Sequence, residues 1–450
     1  MKKEKQINLT EGSILKSLTG LALPIMASSF LGTVYNITDM AWIGLLGAKA
    51  VAGVGAGGMY LWLSQGLVSL ARMGGQVHVA QCFGRNEKGE AQKYAAAAVQ
   101  MTAVFALLFS GVCLLFTNGL IGLFQLNDAE TYDAAKIYLR ITCGFILFSY
   151  LNQTLTGLFT AQGDSRTPFI ANLFGLITNM ILDPVLILGI GLFPRIEVAG
   201  AAIATVTAQA IVFVILLVCA MRSDTDKNLL KGIRPFKPER YKYYREISRI
   251  GIPTALQGTV YCMISMVLTR MVAVFGPGAV ATQKMGGQIE SVSWNAAEGF
   301  GTAMNAFTGQ NYGAGKMERA KKGYQYSFWT VAAWGGFVML LFLIFPEQIS
   351  KVFFHEADVI QVSVSYLTVI AVCEPFMCIE LMTIGALSGL GKTRICSVIS
   401  ILLTGARIPI ALILTRTSLG LGGIWWALTL TSVAKGIVFF LTYQYQTRKL

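Results

Sequence analysis

Repeated apolar stretches constrain the fold of this chain more than any other feature. Among them are FALLFSGVCLLF at 105–116, IVFVILLVC at 211–219 and FVMLLFLIF at 337–345. A helix needs about 20 mostly apolar residues to cross the hydrocarbon core of a bilayer. Of the 450 residues, 54% are hydrophobic and only 13% are charged, whereas soluble domains are about a quarter charged. The sequence therefore predicts an all-α polytopic membrane protein.

Polar stretches between the apolar segments divide the chain into twelve predicted membrane spans. The spans cover residues 14–46, 53–80, 95–117, 136–160, 169–191, 199–221, 248–275, 280–310, 324–345, 361–388, 395–415 and 421–445. Of the 36 lysine and arginine residues, 25 fall in or at the edges of the tails and loops on the side of the N-terminus. Because basic loops stay in the cytoplasm, we expect both termini to be cytoplasmic in a multi-pass protein of the plasma membrane. The polar N-terminus is interpreted as a retained tail and not as a cleaved signal peptide.

An internal repeat relates the two halves of the chain. A constant offset of 229 residues aligns Pro24 with Pro253 and continues without a gap to Lys93 and Lys322. Each half holds six spans, an even number, so the halves share one orientation in the membrane. Two parallel repeats of this kind are typical of transporters, which bind substrate between them.

One long polar segment, residues 223–248, separates the repeats. It predicts an N-terminal six-helix lobe at 1–222, a cytoplasmic linker at 223–248 and a C-terminal six-helix lobe at 249–450. We expect the two lobes to be pseudo-symmetric.

Two acidic residues lie deep in the predicted spans of the N-terminal half. Asp183 interrupts the apolar run ITNMILDPVLILG, and Asp39 lies in VYNITDMAW. An ionised carboxylate in hydrocarbon costs roughly 3 kcal/mol even on lenient scales, so such a residue marks an ion pathway by default. Asn179 and Tyr35 each precede an acid by one helical turn and so share its face. Such neighbours allow the acids to exchange a proton for another cation, and oxygen ligands also suit Na⁺.

A purely structural interpretation of Asp183 stays open at this point. Asp followed by Pro184 is an ordinary start of a helix, with the aspartate as N-cap and the proline in the first turn. The sequence therefore does not decide between a coupling acid and a capping residue.

The C-terminal half offers a second group of candidates, Glu290, Trp294 and Glu298. The two glutamates are eight residues apart, about two helical turns, and the tryptophan lies between them on the same side. Acids flanked by aromatic rings would suit cationic drugs. The alternative is that acids of this half are paired with basic residues: Glu290 with Lys284 or Arg270, and Glu374 and Glu380 with Arg407. For Lys435 the simpler interpretation is a side chain that reaches to the membrane surface.

Several kinds of function are disfavoured by the composition. Two histidines and eight cysteines without a Cys-x-x-Cys pair argue against a haem or zinc centre. GAGK at 313–316 lacks the spacing of a phosphate-binding loop. The net charge of +13 is interpreted as a topology signal and not as a nucleic-acid surface. We therefore expect no enzyme, no catalytic residues, no cofactor and no nucleic-acid partner.

In these residues and motifs the chain resembles the multidrug and toxic compound extrusion (MATE) transporters, a group related to lipid-linked oligosaccharide flippases. The motifs that carry the resemblance are LALP at 21–24, GLLGAKAVAGVG at 44–55, QGDSRTP at 162–168, NMILDP at 179–184, GAAIAT at 200–205 and TGQNYGAGK at 308–316. The resemblance implies twelve helices in two six-helix lobes, a V-shaped central cavity and cation-coupled export.

The resemblance also implies positions for the site that couples transport to H⁺ or Na⁺. The acidic pocket of the N-terminal lobe maps onto Tyr35, Asp39, Asn179, Asp183 and Thr205. Asp39, Asn179 and Asp183 are the candidates for Na⁺. Thr156 is included in the site although the family often has asparagine at this position. Pro24 matches the proline that is linked in this family to bending of the first helix. An acid that some members carry early in the seventh span is absent from YCMISMVL at 261–268.

The sequence thus predicts a secondary active antiporter. It would export cationic or amphipathic drugs in exchange for H⁺ or Na⁺ by alternating access, as a monomer in the bilayer. A lipid-linked precursor flippase of the same superfamily is the alternative within transport, and a passive channel is another. A membrane enzyme would need a nucleophile and base or a metal cluster, which the sequence does not offer.

Overall fold

The computed structural model describes residues 7–126, 128–189, 194–222 and 238–448, and within them the chain is almost entirely helical, with no strand. The helices are α1 (Ile14–Gly44), α2 (Ala48–Gly84), α3 (Lys88–Leu115), α4 (Thr117–Gly122), α5 (Ala129–Gly144), α6 (Ile146–Ala161), α7 (Arg166–Leu188), α8 (Glu197–Arg222), α9 (Tyr241–Ala273), α10 (Pro277–Gly313), α11 (Met317–Ile344), α12 (Pro346–Phe353), α13 (Ala357–Ala371), α14 (Glu374–Gly389), α15 (Thr393–Gly405), α16 (Arg407–Leu414) and α17 (Gly422–Arg448).

The helices correspond to the twelve predicted spans. In the described ranges, eight helical segments are long and apolar enough to cross a bilayer, with α15 and α16 counted as one. The pairs α5–α6 and α13–α14, bent by 47° and 53°, bring the number to ten. The glycine-rich helices α2 and α10 have 37 residues each and, at about 1.5 Å per residue, exceed the thickness of a bilayer core. The predicted all-α polytopic fold is confirmed.

The internal repeat is visible in the helix bounds. The 37-residue helices α2 and α10 begin at Ala48 and Pro277, which the predicted offset of 229 relates. The glycines before them, Gly47 and Gly276, have φ angles of 103° and 102°. A residue with a Cβ rarely adopts this conformation, so glycine is required at both equivalent positions. The repeat predicted from the sequence is therefore confirmed.

The chain divides into two compact units. Unit 1 contains Ala27–Ile252, and unit 2 contains Asn8–Met26 together with Pro253–Leu450. α8 reaches residue 222, where the predicted N-terminal lobe ends and the described part of the chain is interrupted. Of the predicted linker 223–248, residues 223–237 lie outside the described part of the chain, and α9 already begins at Tyr241.

The assignment of Asn8–Met26 to unit 2 differs from the predicted lobes, and packing explains it. Leu18, Leu21 and Ala22 on the first turns of α1 are at most 1% exposed. At the end of this segment Met26 packs against Gly299 of α10, where an added Cβ would lie 2.5 Å from the Met26 Cγ. The N-terminal part of α1 is thus a component of the core of unit 2.

Close backbone contacts hold α10 and α14 together in unit 2. A Cβ placed on Gly385 would lie 1.9 Å from the carbonyl oxygen of Gly301. Because no side chain could fit there, both residues allow the two helices to approach at backbone distance.

In unit 1, the start of α5 is fixed by an N-cap and an ion pair. The carboxylate of Asp128 accepts hydrogen bonds from the backbone amide and the hydroxyl of Thr131, both at 3.0 Å. Its other oxygen lies 3.1 Å from the Lys49 ammonium at the start of α2. The Thr131 amide and the Lys49 charge together hold the pKa of Asp128 below its usual range. The cap positions α5, which carries Tyr138 into the unit.

Candidate functional site

Asp183 and Asn179 form the centre of the candidate site on α7. Both residues are 0% exposed, and the Asn179 amide donates to Oδ1 of Asp183 at 3.1 Å. The helix continues from Arg166 to Leu188 through Pro184 without a break. The interpretation of Asp183 as the cap of a restarted helix is therefore wrong, and the alternative that places its carboxylate inside a helical span stands.

Asp39 and Tyr35 on α1 face the same region of unit 1. Asp39 is 6% exposed, and its carboxylate interacts electrostatically with that of Asp183. The Tyr35 hydroxyl donates to Oγ1 of Thr205 on α8 at 3.0 Å, and Tyr35 in turn interacts with both acids. Side chains from α1, α7 and α8 thus converge, which brings together the five pocket residues implied by the resemblance.

The site contains more hydrogen-bond acceptors than donors. Three buried oxygens, Oδ1 of Asp39, Oδ1 of Asn179 and Oδ2 of Asp183, have no hydrogen-bond partner among the described residues. An unpartnered buried acceptor is costly, and a buried carboxylate more so, unless a proton or cation satisfies it. Protonation would neutralise the acids one at a time, whereas Na⁺ would use the same oxygens as ligands.

All candidate ligands of the site are oxygen atoms. Within the described ranges there is no group of three or more His, Cys, Asp or Glu side chains that could hold a metal ion. The two carboxylates and one amide oxygen fit a hard monovalent cation or a proton better than a soft metal.

Thr156 on α6 is the pocket candidate that the structure does not join to the acids. In the described part of the chain, no hydrogen bond links its side chain to Asp39, Asn179 or Asp183; the hydroxyl of Thr160 donates to its carbonyl at 2.8 Å. Its inclusion in the site stays a prediction.

Sequence reasoning missed two buried polar groups of unit 1. Tyr138 of α5 is buried and interacts electrostatically with Asp39 and Asp183. One turn before Thr156, the Asn152 amide donates to the side-chain and backbone oxygens of Gln209, both at 2.8 Å. A polar residue inside an apolar run was the only signal for Asn152, and nothing local distinguished Tyr138.

In unit 2, Glu290 lies in a separate buried group. The Tyr366 hydroxyl donates to its carboxylate, and Arg407 and Glu374 interact with it electrostatically. Glu374 is 0% exposed, and neither of its carboxylate oxygens has a hydrogen-bond partner within 3.5 Å among the described residues, although the Ser293 side chain interacts with it. The Glu290 partner is therefore a tyrosine, and the predicted pairs with Lys284 or Arg270 are not observed among the described residues.

The other predicted side chains of unit 2 are placed differently. The Trp294 indole donates to the exposed Glu298 at 3.3 Å, so these two neighbours pair with each other and not with Glu290. Glu380 forms a buried ion pair with Lys435 at 2.8 Å. The prediction that Glu380 pairs with Arg407 is wrong, and so is the interpretation of Lys435 as a side chain reaching the membrane surface.

Pro24 lies inside α1, which is continuous from Ile14 to Gly44. It belongs to unit 2, and the part of α1 that belongs to unit 1 begins three residues later at Ala27. Asp39 and Tyr35 follow on the same helix. A role of Pro24 in bending stays a prediction.

Proteins of similar sequence are named for multidrug resistance, multidrug export or FAD transport, and the similarity spans nearly the whole chain. A Thermotoga maritima protein named "Probable multidrug resistance protein NorM" is 27% identical over 448 residues, which cover 97% of this chain and 94% of the relative. A Staphylococcus haemolyticus protein named "Multidrug export protein MepA" is 22% identical over 450 residues, covering 100% and 97%. A Shewanella oneidensis protein named "FAD transporter" is 22% identical over 448 residues, covering 97% and 96%.

Solved structures share the fold. The outward-facing conformation of a multidrug resistance MATE family transporter of the MOP superfamily superposes with a TM-score of 0.91 at 22% identity, over 100% of this chain and 99% of the other. The model of the MatE family matches twice, at residues 24–185 and 253–413. The two matches begin at Pro24 and Pro253, the positions that the internal repeat relates. The chain therefore belongs to the MatE family, and it is a MATE-family membrane transporter and not an enzyme.

Proposed function

We propose that this transporter is a secondary active antiporter, which exports cationic or amphipathic drugs in exchange for H⁺ or Na⁺ by alternating access. The observation that carries the proposal is the set of three buried, unpartnered oxygens on Asp39, Asn179 and Asp183. Relatives named for multidrug resistance and multidrug export support the class of substrate.

Within this proposal the acids act as the coupling site. A cation or proton drives a conformational change only if it binds one state more tightly than the other. Asn179 holds Oδ1 of Asp183, which leaves Oδ2 free to take the cation. Asp39 contributes the second carboxylate from α1, so that occupation of the site changes the interactions of α1 with α7. Tyr35 links α1 to α8 through Thr205.

The proposal extends to placement in the cell. The chain would lie in the plasma membrane as a monomer with both termini in the cytoplasm, as the distribution of basic residues indicates. Labelling single cysteines near each terminus with an impermeant maleimide in intact cells tests the orientation, and labelling from outside would contradict it.

Transport by purified protein in proteoliposomes tests the function. A fluorescent organic cation should accumulate uphill when a pH gradient or a Na⁺ gradient is imposed, each applied separately, and the effective gradient identifies the ion. A passive channel would only dissipate the substrate gradient.

Asp39→Asn and Asp183→Asn should each abolish uphill transport while the protein still folds. Asp133→Asn, the same substitution at an exposed position of α5, is the matched control and should transport normally. Wild-type rates in both site variants would contradict the assignment of these acids.

A further inference from the structure

Within unit 2, five side-chain hydrogen bonds from the end of α10 and the start of α11 hold the N-terminal segment Asn8–Gly12. The guanidinium of Arg319, in the first turn of α11, donates to the backbone carbonyl oxygens of Leu9, Glu11 and Gly12 at 3.1, 2.8 and 2.8 Å. One side chain thus satisfies three carbonyls of an irregular segment, an arrangement that the planar fork of arginine permits.

Two further residues complete this clamp. The Asn311 amide at the end of α10 donates to the carbonyl of Leu9 at 3.0 Å, and the Lys316 ammonium donates to the carbonyl of Thr10 at 3.1 Å. The Leu9 side chain is 0% exposed. We use the term N-terminal clamp for Asn311, Lys316 and Arg319.

The segment is shaped to present its carbonyls. The Asn8 side chain accepts from the amide and the hydroxyl of Thr10 at 3.0 and 2.9 Å, which closes a tight turn. Gly12 has a φ of 75°, in the left-handed region that favours glycine. All five clamp bonds reach main-chain oxygens. The clamp therefore recognises the path of the backbone of residues 9–12 together with the buried Leu9 side chain, and not the other side chains of the segment.

The clamped segment leads directly into the helix that carries part of the candidate site. α1 begins at Ile14, belongs to unit 2 as far as Met26 and to unit 1 from Ala27, and reaches Asp39 within unit 1. One end of α1 is therefore fixed by the clamp, and the other end carries a carboxylate of the pocket.

We propose that Asn311, Lys316 and Arg319 are positioning residues that anchor α1 throughout the transport cycle. With its N-terminal end fixed, a change at Asp39 is absorbed within α1 and is not lost as sliding of a free end. This inference rests on the proposed coupling function, because it assigns the clamp a part in transmitting the state of that site.

Hydrogen exchange of the full-length protein in nanodiscs tests the clamp itself. Arg319→Ala should accelerate exchange of the backbone amides of residues 9–17 by about tenfold or more, since it removes three bonds from the segment. Lys321→Ala removes an exposed ion pair with Glu318 on the same helix and is the matched control. Unchanged exchange in Arg319→Ala would overturn the inference.

A second variant serves if Arg319→Ala fails to fold. An added Cβ on Gly12 meets nothing within 4 Å, so Gly12→Ala acts only through its positive φ. It should release the segment in the same exchange measurement, and protection equal to that of the wild type would count against the clamp.

Transport by the same variants separates the clamp from the coupling site. We expect uphill export to fall about tenfold in Arg319→Ala. If hydrogen exchange shows that the segment is released but export stays at the wild-type rate, the proposed anchoring role is refuted, whereas the clamp contacts themselves stand. Thr10→Cys combined with Lys316→Cys removes one clamp bond and should lower export. Bridging the two cysteines with a short bis-maleimide should restore export, because a covalent link replaces the lost anchor, and no gain on bridging would overturn the inference. Absence of uphill export in the wild type would instead refute the proposed function, whatever the exchange data show.

Discussion

Asp183→Asn should separate function from stability at the candidate site. The wild-type carboxylate accepts one hydrogen bond from Asn179 through Oδ1, and its Oδ2 has no partner among the described residues. The substitution removes the charge but leaves an oxygen that can still accept from the Asn179 amide. The variant thus lacks the group that takes a cation and keeps the contact that orders the helix face.

The expected change in stability follows from these contacts. An aspartate at the centre of a span costs roughly 2.5–3.5 kcal/mol, whereas one hydrogen bond to a charged group contributes about 1.5–3 kcal/mol. The ionised side chain is therefore destabilising on balance by about 1 kcal/mol. A neutral amide with a hydrogen bond of about 1 kcal/mol removes most of that deficit. We expect the free energy of unfolding to be unchanged or raised by about 1 kcal/mol.

Thermal unfolding in detergent, followed by tryptophan fluorescence, measures this change beside the proteoliposome assay. The midpoint of Asp183→Asn should equal that of the wild type or exceed it by roughly 2–4 °C, while uphill export is lost. The exposed control Asp133→Asn should alter neither quantity. A variant destabilised by more than about 2 kcal/mol would show that Asp183 serves the fold, and normal export would show that it is not the coupling acid.

Three further predictions concern the two units. Lys435→Met leaves Glu380 buried without its cation and should destabilise the protein by about 3–5 kcal/mol, measured by thermal unfolding. Adding Glu380→Gln should restore most of the lost stability. A double variant no more stable than Lys435→Met would contradict the pairing. Gly385→Ala places a methyl group against the carbonyl of Gly301 and should lower the free energy of unfolding by roughly 1–3 kcal/mol or more. This loss would appear as a lower yield of protein and a lower midpoint of thermal unfolding. A midpoint equal to that of the wild type would mean that α10 and α14 can separate without loss of stability. The pKa of Asp128 lies below its usual range in the folded protein. Its charge therefore contributes to stability above the pKa of the unfolded state, and this contribution is lost as pH falls through the pKa of the folded state. Between pH 6 and pH 3 the wild-type midpoint should therefore drop more than that of Asp128→Asn, which keeps the cap without the charge, and parallel curves would argue against the ion pair.

Much of the fold was predictable because its causes are local or periodic. The length of the apolar runs sets the helices, since a bilayer leaves few other ways to satisfy the backbone. The repeat offset that relates Pro24 to Pro253 is a property of the sequence itself, and the helix bounds of α2 and α10 reproduce it. The bend between α5 and α6 was not predicted, because it is marked only by Gly144, and single glycines are common in the apolar segments of this chain.

The candidate site was predictable where one helix carries both partners. Asn179 and Asp183 are four residues apart, so helical geometry alone places the amide beside the carboxylate. The resemblance to a family supplied Thr205 as a neighbour of Tyr35, a contact between residues 170 positions apart that no local pattern indicates. Tyr138 was missed for the same reason.

The sequence by itself thus determined the membrane-spanning helical class, the two-fold repeat and the buried acids, because these depend on composition and on spacing along one helix. Only the tertiary structure decided which side chains meet across helices. It paired Glu380 with Lys435 and assigned Asn8–Met26 to unit 2, where Arg319 holds the segment. The physical reason is that the partner of a buried charge or carbonyl is set by how helices pack, and packing joins residues whose separation along the chain carries no signal.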